Sequence, residues 1–217
     1  MSGSGAGALS DGVGVPAGPP SRARSGGTWA LLVAAGAGSR LGAGRPKAFA
    51  PLGGRVLLAE SLERLDASPW VDAVVVAVPE GWEEAAIVLA EELVAGKVHA
   101  VVAGGSTRGG TVRRALEEVS EEAAAVIVHD AARPLVDEAV IERVLAPLGE
   151  GYDGAVAALP LPDTVKRVMD GVVVETLERD SLVAVQTPQA FLAASLRRAY
   201  EVEPGAATDC ASLVERC

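Results

Sequence analysis

Apolar residues fall along the chain in two alternating rhythms. Continuous apolar runs at TWALLVAA (28–35), VDAVVVAVP (71–79), KVHAVVAG (97–104), AAAVIVHDAARP (123–134) and DGAVAALPL (153–161) predict strands buried on both faces. Between them the period lengthens. VLLAESLERLDAS (56–68) sets Leu58, Leu62 and Leu65 at helical spacing with charges between. WEEAAIVLAEELVA (82–95), STRGGTVRRALEEV (106–119) and DEAVIERVLAPL (137–148) predict three more helices, the second of these opening on Ser106 as N-cap.

Strands alternating with helices over short connections predict an α/β domain: a mainly parallel sheet with helices on both faces. Ligands of such sheets bind at the carboxyl ends of the strands. Three unusual loops fall there: the glycine-rich AAGAGSRLGAGRPK, GGSTR and HDAARP. The rhythm changes after Pro160. DTVKRVMDGVVVETLERDSL (163–182) reads as a hairpin about an Asp170–Gly171 turn, a favoured type I′ dipeptide. It carries Lys166, Arg167 and Arg179 but too little apolar surface for a core unit. An arm over about residues 162–183 is expected, packing against a second subunit. TPQAFLAASLRRAYE (187–201) predicts a return to helix, and TDCASLVERC (208–217) predicts another helix that is cut in mid-pattern at Cys217.

Composition narrows the picture. Residues 1–27 combine Gly, Ser, Pro and Ala without periodicity or a signal-peptide apolar core, so a disordered extension ahead of a single domain at 28–217 is expected. Aromatics are only 3% of the chain against 49% hydrophobic residues, so Ala, Val and Leu must build the core. The net charge of −10 argues against nucleic acid as partner, yet leaves room for a small anion held by a local cationic loop. No apolar run approaches the roughly 20 residues that span a bilayer. Cys210 and Cys217 form neither a disulfide framework nor a zinc spacing, which fits a reducing cytoplasm.

The loop after the first strand fails two phosphate-binding patterns. A dinucleotide fingerprint needs a third glycine where Leu41 stands, and a Walker A loop needs Ser or Thr after Lys47, where Ala48 stands. What remains is a backbone that phosphates can approach closely at Gly36 and Gly38, with Arg40 and Lys47 reaching over it. A glycine-rich turn with solvated cations accounts for the same residues, and both readings stay open on pattern alone. Asp130, at a strand end, can hold a magnesium ion that bridges nucleotide phosphates, or it can brace its loop. Arg133 can pin a second anion or pair with an acid. Ser106, Thr107 and Thr111 can recognise a base or a ribose, or form an ordinary helix entry.

Taken together the motifs carry more. Leu32 to Gly42 followed by Pro46–Lys47 resembles the signature of nucleotidyltransferases with a Rossmann-like, nucleotide-diphospho-sugar-transferase type of sheet. HDAARP, PLPDTVKR, LERDSL, QTPQAF and ATD, in this order, resemble the 2-C-methyl-D-erythritol 4-phosphate cytidylyltransferase family over about residues 28–216. That resemblance implies a homodimeric cytoplasmic enzyme of isoprenoid precursor synthesis, taking CTP, a small phosphorylated polyol and Mg2+. It implies a triphosphate over Gly36 and Gly38 and a cytosine read by Ala34, Ala35, Gly105, Ser106 and Thr111, with Asp130 and Ala131 beside the nucleotide and Asp130 near the metal. Arg40 and Lys47 would stabilise the charge that develops on the α-phosphate. Arg179 would orient the acceptor phosphate, with Thr164, Arg133 and Thr208 near the substrate. The ribitol-5-phosphate cytidylyltransferases are close rivals. The family also continues into a last strand and an Asn-x-Lys segment, and an acidic residue is common where Cys210 stands. This sequence stops at Cys217 without them, so a truncated sequence, or a nucleotide-binding remnant without turnover, is the other expectation.

Overall fold

A computed structural model describes residues 26–36, 38, 45–202 and 209–217. The expected extension at residues 1–27 therefore lies outside the described residues up to position 25. In chain order the strands are β1 (Thr28–Val33), the short β2 (Pro51–Leu52) and β3 (Arg55–Val56), β4 (Ala73–Val78), β5 (Val98–Ala103), β6 (Ala125–Asp130), β7 (Gly154–Pro160), β8 (Lys166–Met169), β9 (Val172–Thr176) and β10 (Val183–Leu192). The helices are α1 (Leu57–Ala67), α2 (Glu83–Glu92), α3 (Arg108–Glu117), α4 (Glu138–Gly149), α5 (Ala193–Val202) and α6 (Ala211–Val214).

Six strands form one sheet in the order β5-β4-β1-β6-β10-β7. The first four run parallel, and β10 lies antiparallel to both β6 and β7. The expected mainly parallel sheet is the one observed. Side chains alternate across it as the pleat requires. Ala30, Leu32, Val74, Val76 and Ile127 face Leu58, Leu62 and Leu65 of α1 and Ile141 and Leu145 of α4. Trp29, Leu31, Val75, Val126 and Val128 face the opposite layer, with Val112 and Ala115 of α3 and Leu196 and Ala199 of α5. Burial on both faces is why these strands read as unbroken apolar runs. Each fully buried leucine contributes roughly 1.5–3 kcal/mol relative to an exposed one.

Three expectations need correction. Residues 187–192 are strand, the second half of β10, and helix begins only at Ala193. Gln189, Ala190 and Phe191 pair with Val128, Ile127 and Val126 on one side and with Val156, Ala155 and Gly154 on the other. Two ladders hold this run extended, and Pro188 favours an extended residue before it; the Ala- and Leu-rich stretch that follows is the part that forms helix. Gly154 makes the fit possible, since a Cβ there would stand 2.5 Å from the Phe191 ring. Second, the N-cap of α3 is Thr107, whose hydroxyl accepts from the Gly110 N–H, and Ser106 is an exposed loop residue. Third, α6 closes at Val214, so the helix does not run on to Cys217.

The arm is present as the β8–β9 hairpin, turning at Asp170 (φ 50°) and Gly171 (φ 79°), as a type I′ turn demands. Every residue of both strands is exposed, including Val168, Met169, Val172, Val173 and Val174. An isolated two-stranded ribbon is marginal in water. No helix among the described residues is long and apolar enough to cross a membrane.

Candidate active site

The parallel strands deliver three loops to one rim. The Ala34 N–H donates to the Ala77 carbonyl, the Ala131 N–H to Val33 and the Gly104 N–H to Val78, so each ladder continues one step past its strand. Val33 lies beside Asp130 in the register. The Ala35 side chain occupies the place where a Cβ on Gly104 would sit. Ala34, Ala35, Gly36, Gly105, Asp130 and Ala131 are thus brought to the same edge of the sheet. Arg40 and Thr208 lie outside the described residues.

The two glycines of the first loop have different jobs. Gly38 has φ 64°, and a Cβ there would stand 2.9 Å from the Lys47 backbone nitrogen. Lys47 N–H in turn donates to the Gly36 carbonyl at 3.4 Å, which fixes the Lys47 backbone beside Gly36 at the start of a single 3-10 turn, Lys47–Phe49. Gly38 is therefore demanded by the fold. Gly36 is exposed, and a Cβ there would meet nothing within 4 Å. The protein's own packing does not explain its missing side chain, whereas close approach of a ligand does. Gly38→Ala is expected to lower stability by about 1–2 kcal/mol through left-handed strain. Gly36→Ala should melt like the parent yet bind CTP more weakly. Thermal unfolding and nucleotide titration of the two variants separate these outcomes.

Thr111 is 2% exposed. Its hydroxyl accepts from the Gly105 N–H at 3.1 Å and lies within donating reach of the Thr107 carbonyl at 2.9 Å. It is spent on shaping the Gly105 turn, and Ser106 presents the free hydroxyl of that loop.

Around Asp130 the structure supplies partners that sequence reasoning missed. A register shift in β10 between Val185 and Gln189 turns residues 186–188 toward the rim, as bulges beside functional sites do. The Asp130 N–H donates to Thr187 Oγ1 at 3.1 Å. Thr187 Oγ1 lies 3.2 Å from His129 Nδ1, and His129 Nε2 lies 3.1 Å from the Arg133 carbonyl. Burial pushes the His129 pKa down to about 4, so the ring is neutral. A carbonyl only accepts, so Nε2 carries the proton and Nδ1 accepts from Thr187. His129 braces the loop and leaves the chemistry to Asp130.

The Asp130 carboxylate is flanked by two guanidinium groups. Arg108 brings Nε and Nη2 each to 3.2 Å of Oδ1, and Arg133 Nε lies 3.8 Å from Oδ2. Arg133 also donates to Gln186 Oε1. Of its two expected roles, pairing with an acid is the one the geometry displays. Behind Arg108, Nη1 lies 3.5 Å from Cys210 Sγ, which meets the Tyr200 hydroxyl at 3.4 Å. Burial pushes the Cys210 thiol up despite the guanidinium beside it, so the sulfur is neutral. Arg179 and Thr164 belong to the exposed arm segment, where Arg179 Nη1 donates to the Pro162 carbonyl. The one signal in the sequence for the added partners was QTPQAF, whose proline marks the bend in β10.

The family profile described as "IspD: 2-C-methyl-D-erythritol 4-phosphate cytidylyltransferase" matches residues 28–217. The chain belongs to the 2-C-methyl-D-erythritol 4-phosphate cytidylyltransferase family. Within it, the cytidylyltransferase of Rhodococcus opacus is 49% identical over 188 residues, 86% of this chain and 80% of that protein. The cytidylyltransferase of Frankia casuarinae is 46% identical over 187 residues, 86% of this chain and 68% of that one. Among solved structures, the 4-diphosphocytidyl-2C-methyl-D-erythritol synthase of Anaerococcus prevotii superposes with a TM-score of 0.76 at 25% identity, covering 88% of this chain and 84% of its own. The Thermus thermophilus cytidylyltransferase gives 0.66 at 34% identity, covering 86% and 83%. The family resembled by the motifs is the family found, and the cytidylyltransferase fold is the observed one.

Proposed function

We propose that this chain transfers CMP from CTP to 2-C-methyl-D-erythritol 4-phosphate and releases pyrophosphate, a step of isoprenoid precursor synthesis. The observation that carries this reading is the unexplained opening over Gly36, bordered by the Lys47 backbone and lying beside the Asp130 loop at the same sheet edge. An acceptor phosphate oxygen attacks the α-phosphorus, forming a new P–O bond as the bond to the β-phosphate bridging oxygen breaks. Charge grows on the α-phosphate oxygens, and cations already in place stabilise it. Lys47 and Arg40 take that role, with the triphosphate over Gly36 and Gly38. Ala34, Ala35, Gly105 and Ser106 line the base, Thr111 holds Gly105 in shape, and Asp130 and Ala131 edge the nucleotide.

Magnesium fits the residues present. No group of three or more His, Cys, Asp or Glu side chains forms a cage among the described residues. Magnesium is commonly held by one or two carboxylates together with substrate phosphates, and Asp130 is such a carboxylate. Among the described residues no donor comes within hydrogen-bond distance of its Oδ2, whose nearest cation is Arg133 Nε at 3.8 Å, so a lone pair there is open to a metal ion. Bound there, the ion would offset triphosphate charge. Arg179, Thr164, Arg133 and Thr208 hold the acceptor, Arg179 and Thr164 arriving from the arm of a second copy. The five exposed apolar side chains of the hairpin give that copy a surface to bury. A cytoplasmic setting fits the free thiols of Cys210 and Cys217.

Pyrophosphate release from CTP and magnesium with this 217-residue chain tests the reading, with 2-C-methyl-D-erythritol 4-phosphate and ribitol 5-phosphate supplied in parallel. Turnover with the methylerythritol phosphate alone is expected. Preference for the pentitol would reassign the acceptor, and a folded chain that binds CTP without turnover would defeat the proposal.

A further inference from the structure

Arg108 is the cation whose position the reaction does not explain. It occupies the first position of α3, where the positive end of the helix disfavours a cation. No acidic residue in that first turn compensates it. The side chain instead leaves its own helix and crosses to β6, 22 residues on, and to Cys210, 102 residues on.

The manner of contact is specific. An Arg–carboxylate pair often forms a fork, one nitrogen to each oxygen. Here Nε and Nη2 both address Oδ1. Oδ2 is left with Arg133 at 3.8 Å, beyond hydrogen-bond distance. The third nitrogen, Nη1, is spent on Cys210 Sγ, and Cys210 is fully buried against Tyr200. The Asp130 backbone is fixed separately by Thr187 and by its register with Val33. Asp130 is therefore fixed at its main chain and hydrogen-bonded at one carboxylate oxygen, with Arg133 only a looser ion-pair partner of the other.

We infer that Arg108 is a positioning residue for metal binding: it grips Asp130 Oδ1 so that Oδ2 faces the rim, and Cys210 anchors the guanidinium from behind. The inference rests on the reading of Asp130 as the magnesium ligand. It extends the metal site to the GGSTR loop and to the segment at residues 209–217, neither of which supplies a metal ligand itself. Outer partners of metal-binding groups typically govern affinity or activity by about 10–100-fold.

Manganese, a paramagnetic substitute for magnesium, reads this directly. Free Mn2+ is followed by electron paramagnetic resonance as it is titrated into the full chain saturated with CTP, for the parent, Arg108→Met, Arg108→Lys and Asp130→Asn. Arg108→Met is expected to weaken Mn2+ by about 10–100-fold, with CTP affinity in the absence of metal unchanged. Lysine keeps the charge but has a single nitrogen, so Arg108→Lys should fall between. A purely structural role would lower melting temperature and metal-free CTP binding without this split. Should Arg108→Met fail to fold by circular dichroism, Arg108→Lys decides by the same criterion. Parent-like Mn2+ affinity in the Arg108 variant, with Asp130→Asn weakened, overturns the role of Arg108 and leaves the metal reading standing. If Asp130→Asn binds Mn2+ like the parent, or the parent binds none with CTP, the metal reading fails and the role of Arg108 falls with it.

Discussion

Methionine at position 47 is expected to lower kcat about a hundredfold or more while raising the KM for CTP far less. Methionine keeps most of the length of the lysine and removes its charge together with its N–H donors. The backbone of Lys47 is fixed by the bond to the Gly36 carbonyl and by the Lys47–Phe49 turn, so the variant should keep the loop closed. A preorganised donor aimed at charge that appears only during the displacement is worth about 3 kcal/mol of barrier. Single-turnover kinetics at saturating CTP checks this. A variant with parental kcat and a raised KM would show that Lys47 grips ground-state phosphate alone and lies off the developing charge.

Asparagine at position 130 should have the second large effect, in two separable parts. On the proposed reading of Asp130 as the metal ligand, activity is expected to fall by about two orders of magnitude, since losses of outer partners already reach about 10–100-fold. Stability should fall as well, because Arg108 and Arg133 are left facing each other without the carboxylate between them. The side chains of Arg108 and Asp130 remain 25% and 28% exposed, so solvent tempers the loss to about 1–2 kcal/mol. Adding Arg108→Met to Asp130→Asn should recover part of the melting temperature and none of the activity. Activity recovered along with stability would mean that Asp130 is a brace, and the magnesium assignment would be wrong.

What was legible in the sequence follows from where each residue's constraint lies. β1, β4 and β6 were readable because burial on both faces leaves no polar positions in Leu31–Leu32 or in Val74 to Val78. The hairpin was readable from Asp170–Gly171, since that turn needs positive φ at both positions. β10 was not readable. Its strand character comes from two ladders contributed by residues dozens of positions away, and the helical pattern of the residues that follow, from Ala193, masks its second half. The site divides the same way. Gly38, Lys47 and Asp130 stood out because loop composition after a strand is a local signal. Arg108, Thr187, Gln186 and Cys210 act on Asp130 through register, a bulge and a contact spanning 102 residues, of which the sequence records only the bend, in the proline of QTPQAF. Thr111 illustrates a different gap: its type suggested recognition, while its hydroxyl is consumed by the neighbouring backbone.

The position of β10 between β6 and β7 also sets an order of assembly. β7 leaves the ribosome before the strand that joins it to the sheet. Until Leu192 has emerged, β6 is an edge open on the side away from β1 and carrying the wholly apolar Ala125 to Val128, and β7 has no neighbour. The nascent chain thus passes through a half-sheet with an adhesive border, a state prone to pairing with another chain. A pause before Leu192 has emerged prolongs that state, and a pause after its emergence does not.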